Sequence, residues 1–295
     1  MDMTRFVNTF GRYLRQKHGE KVHKLSVNAS FTCPNRDGTK GIGGCTFCNN
    51  ASFSPNSTES GEIADQISNA KEKVIARTGA KKFIAYFQSY SNTYGSPEEL
   101  KRFYDEALSQ PDMIGLAVGT RPDCVPEPVL ELLATYQNAG YEVWLELGLQ
   151  SSFDETLRTI NRGHGFAEYV DAVQRAKKHG LKICTHLIMG LPGEEPEDTL
   201  TSFDKVIELG VDAIKVHPLH IVKGTQLARQ WRKGEVRELT MESYTDVLAK
   251  IVRRAPEHLL FHRLTGSGEH QYLLSPDWAG KKWQTLGMLY KKLDV

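Results

Sequence analysis

The stretch CPNRDGTKGIGGCTFC at residues 33–48 places three cysteines on one short segment, in the spacing C-x11-C-x2-C. Three thiolates from a Gly-rich loop can converge on one inorganic centre, but a closed structural zinc site requires a fourth ligand. No fourth cysteine lies nearby, and His23 sits at the far end of a predicted strand. An iron–sulfur cube can be held by three thiolates when its fourth iron is left to another ligand. The segment therefore favours an iron–sulfur cluster with one open position.

The composition is that of a globular chain of the size of an enzyme, and not that of a disordered one. The chain has 295 residues, with 37 Lys plus Arg against 36 Asp plus Glu, and 40% of its residues are hydrophobic. An odd count of five cysteines argues against a disulfide framework. The apolar stretch 113–120 is too short to cross a bilayer and no signal peptide is visible, so we expect a cytoplasmic protein without membrane contact. The net charge of +1 gives no global indication of nucleic-acid binding, although residues 1–24 and 281–295 are locally basic.

Strand-like and helix-like runs alternate along most of the chain. The predicted strands are 22–31, 82–88, 113–120, 142–150, 181–189 and 213–222. Because a helical pattern follows each strand, we predict a parallel sheet with right-handed crossovers.

The two faces of these strands distinguish a barrel from an open sheet. Glu146 and Gln150 share one face of strand 142–150, Lys24 lies on a polar face of the first strand, and Lys215 and His217 share one side of the sixth. A strand in an ordinary doubly wound sheet is apolar on both faces. The pattern therefore predicts a full or partial (β/α) barrel that holds a polar ligand at the C-terminal strand ends. We divide the chain into a docking helix (1–21), the barrel (22–235) and an appended closing segment (236–295).

With these motifs in place, the chain resembles the radical S-adenosylmethionine (SAM) superfamily, whose three cluster cysteines follow strand one with an aromatic residue before the last. Phe47 fills that aromatic position. The usual spacing is C-x3-C-x2-C, and enlarged gaps occur in the branch of the radical subunit of Elongator, which modifies wobble uridine in tRNA. Further segments resembling that branch are 119–123, 146–151, 161–164 and 190–194. The pattern of the bacterial YhcC/YtqA family continues through 217–224 and 262–263, so that the resemblance covers nearly the whole chain.

The resemblance implies a partial (β/α)6 barrel with a [4Fe–4S] cluster on Cys33, Cys45 and Cys48. SAM would chelate the open iron, and one electron from a donor such as flavodoxin or ferredoxin would release a 5′-deoxyadenosyl radical. The candidate SAM-binding residues are Phe47, Gln88, Ser89, Tyr90, Glu146, Gln150, Gly190 and Gly193.

The implied substrate is a tRNA wobble uridine whose 5-carboxymethylaminomethyl group becomes 5-aminomethyl, with basic residues near both termini on the phosphates. Lys215 and His217 are the candidate catalytic residues. Lys215 would pair with an anionic carboxylate or phosphate, and His217 would position that group or transfer a proton. A structural role for these side chains is the alternative.

The sequence leaves two other functions open. One is a radical SAM enzyme that acts on a small molecule such as a porphyrinogen carboxylate, and the other is a non-catalytic RNA-binding protein stabilised by a structural metal (metal-stapled). A structural metal needs no hollow barrel, which argues against the second.

Overall fold

The fold is an eight-stranded parallel sheet flanked by helices, in a computed structural model that describes residues 2–52, 61–266 and 270–294. The strands are β1 (Asn8–Thr9), β2 (Val22–Val27), β3 (Lys82–Phe87), β4 (Met113–Thr120), β5 (Glu142–Gln150), β6 (Lys182–Met189), β7 (Ala213–Pro218), β8 (Ile221–Val222), β9 (Leu260–Arg263) and β10 (Leu273–Ser275). The helices are α1 (Phe10–His18), α2 (Ile63–Thr78), α3 (Pro97–Leu108), α4 (Glu127–Asn138), α5 (Asp154–Thr159), α6 (Phe166–Lys178), α7 (Asp198–Glu208), α8 (Gln226–Arg232), α9 (Met241–Arg254) and α10 (Lys282–Leu293).

The strand order is β1-β9-β7-β6-β5-β4-β3-β2, and a separate antiparallel pair joins β10 to β8. The six predicted strands correspond to β2–β7, and the partial barrel predicted for the chain is confirmed. Two predicted strands are too long. The first ends at Val27, and the sixth ends at Pro218, which lacks the N–H that a further ladder bond requires.

Two strands beyond the predicted six complete the sheet. β9, from the segment predicted to close the barrel, pairs with β7, and β1 pairs with β9 through Asn8 opposite Leu260. Both strands are too short for a periodic pattern to reveal them. The sheet therefore continues past strand six instead of ending there.

Two apolar layers lie on the two sides of the sheet. The larger one packs the helices against the outer face, on which Leu145 and Leu147 are fully buried. The smaller one lies inside the barrel, where Phe10 and Leu14 of α1 pack with Trp144. Lys17 of the same helix donates to Glu142, the first residue of β5, at 2.6 Å. Helix α1 therefore closes the end of the barrel at which the strands begin.

None of the helices in the described ranges combines the length and apolar character that crossing a membrane requires.

Candidate active site

The cluster loop, residues 33–48, lies at the C-terminal ends of the strands, where its three cysteines line a single cavity of about 230 Å³. Cys45 is buried, and Cys33 and Cys48 are partly buried. In the described part of the chain, the three sulfurs do not form a group within 4.8 Å of one another. Three thiolates on one loop suit a cluster whose fourth iron is left to another ligand, whereas a closed zinc site requires a fourth protein ligand.

Backbone hydrogen bonds hold the cluster loop in place. Gly44 N donates to Asn35 O at 2.8 Å, and Asn161 Nδ2 donates to Gly44 O at 2.8 Å. Thr46 N donates to Ile160 O at 3.0 Å. Gly44 has a φ of 81°, in the left-handed region that favours glycine. The segment at 160–161 therefore braces the loop on both sides of its second cysteine, Cys45.

Two arginines bring positive charge to the cysteines. Arg162 Nη1 donates to Cys45 Sγ at 3.4 Å, and its Nη2 donates to Gly148 O at 2.6 Å. Arg36 Nη2 donates to Cys48 O at 3.0 Å. Burial raises the pKa of the Cys48 thiol, as does Cys45, while the two arginines oppose that shift. Because a cluster is bound by thiolates, these cations favour the ligating form.

A buried ion pair fixes the far side of the loop. Arg121 donates to Asp123 through Nε and Nη2, both at 2.9 Å, and Lys40 of the cluster loop contacts the same carboxylate at 2.8 Å. Burial acts to raise the pKa of Asp123, but Arg121 outweighs it and lowers that pKa to about 2. Arg121 Nη1 also donates to Arg162 O at 2.7 Å. The segment after β4 therefore holds both the cluster loop, through Lys40, and Arg162, which contacts Cys45.

Deeper in the barrel, five charged or titratable residues form what we call the charge cluster: Lys24, Glu146, His186, Lys215 and His262. Glu146 is fully buried and receives contacts on both oxygens. Lys24 donates to Oε1, and His262 Nδ1 lies 3.4 Å from it. Lys215 and His186 Nε2 contact Oε2, the latter at 2.9 Å. Lys215 also donates to Tyr86 Oη at 2.9 Å. The carboxylate is thus fully engaged by protein groups.

The charge cluster leaves the barrel interior positive. Burial alone would raise the pKa of Glu146, but Lys215 and Lys24 outweigh it and hold that pKa well below its usual range. Burial lowers the pKa of Lys24 to about 8, so this ammonium is mostly charged near neutral pH. Burial and Lys215 lower the pKa of His186 to about 4, which keeps the imidazole neutral. Two ammonium groups therefore share one carboxylate.

Most of the residues predicted from the sequence line this cavity. They are Cys33, Cys45, Phe47, Cys48, Gln88, Tyr90, Glu146, Gln150, Lys215 and His217. Ser89 is buried but is not among the lining residues, and neither are Gly190 and Gly193. The roles assigned to the SAM-binding and catalytic candidates stay predictions.

Lys24 and Arg162 were not predicted from the sequence to be functional residues. Lys24 stood on a polar strand face, and Arg162 stood in a segment quoted only for its resemblance. The polar strand face could have indicated a functional role for Lys24, and the segment that resembles the family could have indicated one for Arg162.

The cavity fits a polar cofactor beside the cysteines. Asn50 Nδ2, Arg162 Nε and His220 Nε2 belong to lining residues, and each is buried without a hydrogen-bond partner in the described protein. Buried polar atoms are nearly always hydrogen-bonded. Three thiols and these unsatisfied polar groups line the same cavity. This arrangement suits a [4Fe–4S] cluster with an amino-acid-like ligand such as SAM.

Family comparison agrees with this site. A radical SAM superfamily model matches residues 28–206, and a model of the Radical_SAM C-terminal domain matches residues 211–294. The chain therefore belongs to the radical SAM superfamily and is a radical SAM enzyme that uses a [4Fe–4S] cluster and SAM.

Within the superfamily, the chain is 47% identical over 283 residues to protein YhcC of Escherichia coli K12, covering 96% of this chain and 91% of that protein. It is 36% identical over 290 residues to YtqA of Bacillus subtilis, covering 97% and 89%. A tRNA uridine(34) acetyltransferase of Dehalococcoides mccartyi is 28% identical over 173 residues, which span 58% of this chain and 36% of that protein. Among solved structures, the Methanocaldococcus infernus Elp3 matches with a TM-score of 0.70 at 19% identity, over 92% of this chain and 63% of that one. At that identity the last match supports the fold alone.

Proposed function

We propose that this protein oxidatively removes the carboxymethyl unit from a 5-carboxymethylaminomethyl group on a tRNA wobble uridine and leaves a 5-aminomethyl group. The two-carbon unit would leave as glyoxylate, with SAM as the oxidant, converted to methionine and 5′-deoxyadenosine, and with water as the source of the new carbonyl oxygen. The observation that carries the proposal is the positive interior of the barrel. Two ammonium groups share the Glu146 carboxylate, in a cavity that the cluster cysteines also line. A substrate carboxylate is the kind of group that this excess charge attracts. The relationship to a tRNA uridine(34) acetyltransferase supports tRNA as the carrier.

In this proposal the cofactors supply the radical chemistry, and the protein binds and orients the reactants. Cys33, Cys45 and Cys48 would hold the cluster, and when bound, cluster and SAM supply a 5′-deoxyadenosyl radical. The chain's own residues orient the reactants and exclude water. Phe10 and Trp144 seal the floor of the barrel with their rings in edge contact, 5.3 Å apart. A closed floor confines a reactive species to the side where the substrate enters.

The tRNA would approach over the start of helix α10. Trp283 is 73% exposed there and follows the exposed lysines Lys281 and Lys282. Lys282 lies within electrostatic range of the cavity residue Arg263. Lysines attract phosphates, and an exposed indole offers a surface on which a base can stack. The basic N-terminal segment lies at the opposite end of the barrel, where Lys17 is paired with Glu142.

The electron would enter from the outer side of the cluster loop. Arg36 and Arg229 line a second, polar cavity of about 430 Å³ that also reaches Cys45 and Cys48. These cations suit an acidic one-electron donor such as flavodoxin or ferredoxin, in the cytoplasm where tRNA is also found.

The test is anaerobic reconstitution with SAM, a reductant and total tRNA from a strain lacking this protein, followed by mass spectrometry of the nucleosides. We expect 5-carboxymethylaminomethyl nucleosides to decrease while 5-aminomethyl nucleosides increase. The Cys45→Ala variant is the inactive control, and Cys124→Ala is the matched active one, because Cys124 lies outside the lining of both cavities. If SAM is cleaved and no nucleoside changes, the tRNA assignment is wrong. Turnover of a small carboxylate in the same assay would then point to the small-molecule alternative.

A further inference from the structure

Strand β9 carries an irregularity that turns two successive side chains toward the barrel interior. Ile214 is opposite Phe261, but Lys215 is opposite Arg263, so that His262 is an extra residue in the ladder. In a regular strand, neighbouring side chains point to opposite faces, and a bulge re-aims one of them. His262 contacts Glu146, while Arg263 lines the cavity beside Lys215. His262 therefore contributes to the depth of the cavity, and Arg263, which is exposed, contributes to its mouth.

Arg263 has no hydrogen-bond or ion-pair partner in the part of the chain that the structure describes. Within residues 2–52, 61–266 and 270–294, its guanidinium makes no hydrogen bond or ion pair. Lys215, the lysine opposite it, is occupied by Glu146 and by Tyr86 Oη. The mouth of the cavity thus contains an exposed cation whose charge nothing in the described protein balances. The Glu146 carboxylate, deeper in the cavity, is already shared by two lysines.

Two neutral imidazoles lie near this guanidinium. Burial lowers the pKa of His220 to about 4 and that of His217 well below its usual range, and the charge of Arg263 contributes to both shifts. His220 Nε2 is buried and has no hydrogen-bond partner in the described protein. A Cβ atom on Gly266 would lie 2.4 Å from His217 Nδ1, so only glycine fits against that ring. Neutral imidazoles can donate hydrogen bonds without adding charge.

We infer that Arg263, flanked by His217 and His220, is the subsite that binds the carboxylate of the substrate's modified base. Guanidinium binds carboxylate in a bidentate fashion, which fixes orientation as well as position. Lys215 then acts as a positioning residue that holds Glu146. Arg263 makes the contact with the anion that the sequence had led us to expect of Lys215. This inference rests on the proposed function, because it names the group by which that substrate is recognised.

The experiment compares two tRNAs that differ only in the carboxymethyl unit, one carrying 5-carboxymethylaminomethyluridine and one carrying 5-aminomethyluridine. Dissociation constants are measured by anaerobic filter binding with the cluster-loaded protein. We expect the wild type to prefer the carboxylate-bearing tRNA by about tenfold or more, the scale of a hydrogen bond to a charged group. Arg263→Gln should bring that ratio close to one by weakening only the carboxylate-bearing tRNA, and Arg263→Lys should restore part of it.

Each outcome decides a separate point. A wild type without preference contradicts the proposed substrate itself. A preference that persists in Arg263→Gln and Arg263→Lys overturns the subsite and leaves the proposed function standing. Equal weakening of both tRNAs would make Arg263 a phosphate contact and also overturn the subsite. Arg77→Gln is the matched control, since Arg77 is exposed in the last turn of α2, which leads to the start of β3. Unchanged iron content and an unchanged far-UV circular dichroism spectrum check that each variant is folded.

Discussion

The cluster loop and the charge cluster line the same cavity, but they are held in different ways. In the cluster loop, main-chain hydrogen bonds such as Thr46 N to Ile160 O set the path of the backbone, and the cysteines follow from that path. In the charge cluster, four basic side chains from four strands meet on one carboxylate. The ligands of the first site are close together in sequence and are positioned by the backbone, whereas the second site exists only when the whole sheet has formed.

This difference predicts different responses to substitution. Removing one ligand from the loop should abolish its inorganic centre and leave the fold, because the backbone hydrogen bonds remain. Removing the shared carboxylate should weaken the fold, because it leaves buried ammonium groups unpaired. Substitutions in the two regions test that contrast.

The largest effect is expected from the cysteines. Protein prepared without oxygen should be brown and contain about four iron and four sulfide per chain. Cys33→Ala, Cys45→Ala and Cys48→Ala should each lose this content, as measured by iron and sulfide analysis. Cys124→Ala and Cys184→Ala should keep it. Stoichiometric zinc without iron in the wild type would refute the cluster assignment.

The second prediction concerns Glu146, whose replacement leaves Lys24 and Lys215 facing each other without an anion. Glu146→Gln should lower the free energy of unfolding by about 3–5 kcal/mol, the cost of breaking a buried ion pair. Urea unfolding monitored by circular dichroism measures it. Glu197→Gln breaks the exposed pair with Lys250 at 3.1 Å and should cost no more than about 1 kcal/mol. Equal effects of the two variants would contradict the contrast between the sites.

A third, smaller effect is expected where an arginine contacts a cluster ligand. Arg162→Lys removes the guanidinium fork that reaches both Cys45 Sγ and Gly148 O. Hydrogen bonds to ligand sulfur raise the reduction potential, so the variant's cluster should be harder to reduce, by tens of millivolts. An anaerobic redox titration followed by electron paramagnetic resonance measures the shift, with the exposed Arg158→Lys as the control. An unchanged potential would show that Arg162 only braces the loop.

The smallest expected effect is a pH dependence of tRNA affinity, to which the charge cluster should contribute and the cluster loop should not. Lys24, with a pKa lowered to about 8 by burial, loses its charge as the pH rises from about 7 to about 9. The interior then carries one positive charge less, so the affinity for the carboxylate-bearing tRNA should fall several-fold across that range. The Asp123 pair that holds the cluster loop, with a pKa of about 2, should not respond. Lys24→Gln should flatten the dependence, and an equally steep profile in that variant would exclude Lys24 as its source.

Features formed by residues close together in the sequence, such as single strands and the cysteine loop, could be predicted from it. The strands 113–120 and 142–150 were predicted with the bounds they have, because each is a long run between clear turns. The cysteine spacing was visible because its ligands are contiguous. The pairing of Glu146 with Lys24 and His262 was not, since it joins residues more than a hundred positions apart. The inward turn of Arg263 depends on a bulge that no alternation pattern contains.

The pairing of β1 with β9 also has a consequence for how the chain folds during synthesis. Asn8 is made about 250 residues before Leu260, its partner in the sheet. The ring of Phe10, which lies 3.7 Å from that of His262, must wait equally long for its contact. On the ribosome the barrel would therefore grow from β2 toward β7 before α1 could complete its contacts, which include those with β9. The segment translated first is one of the last to reach its native place.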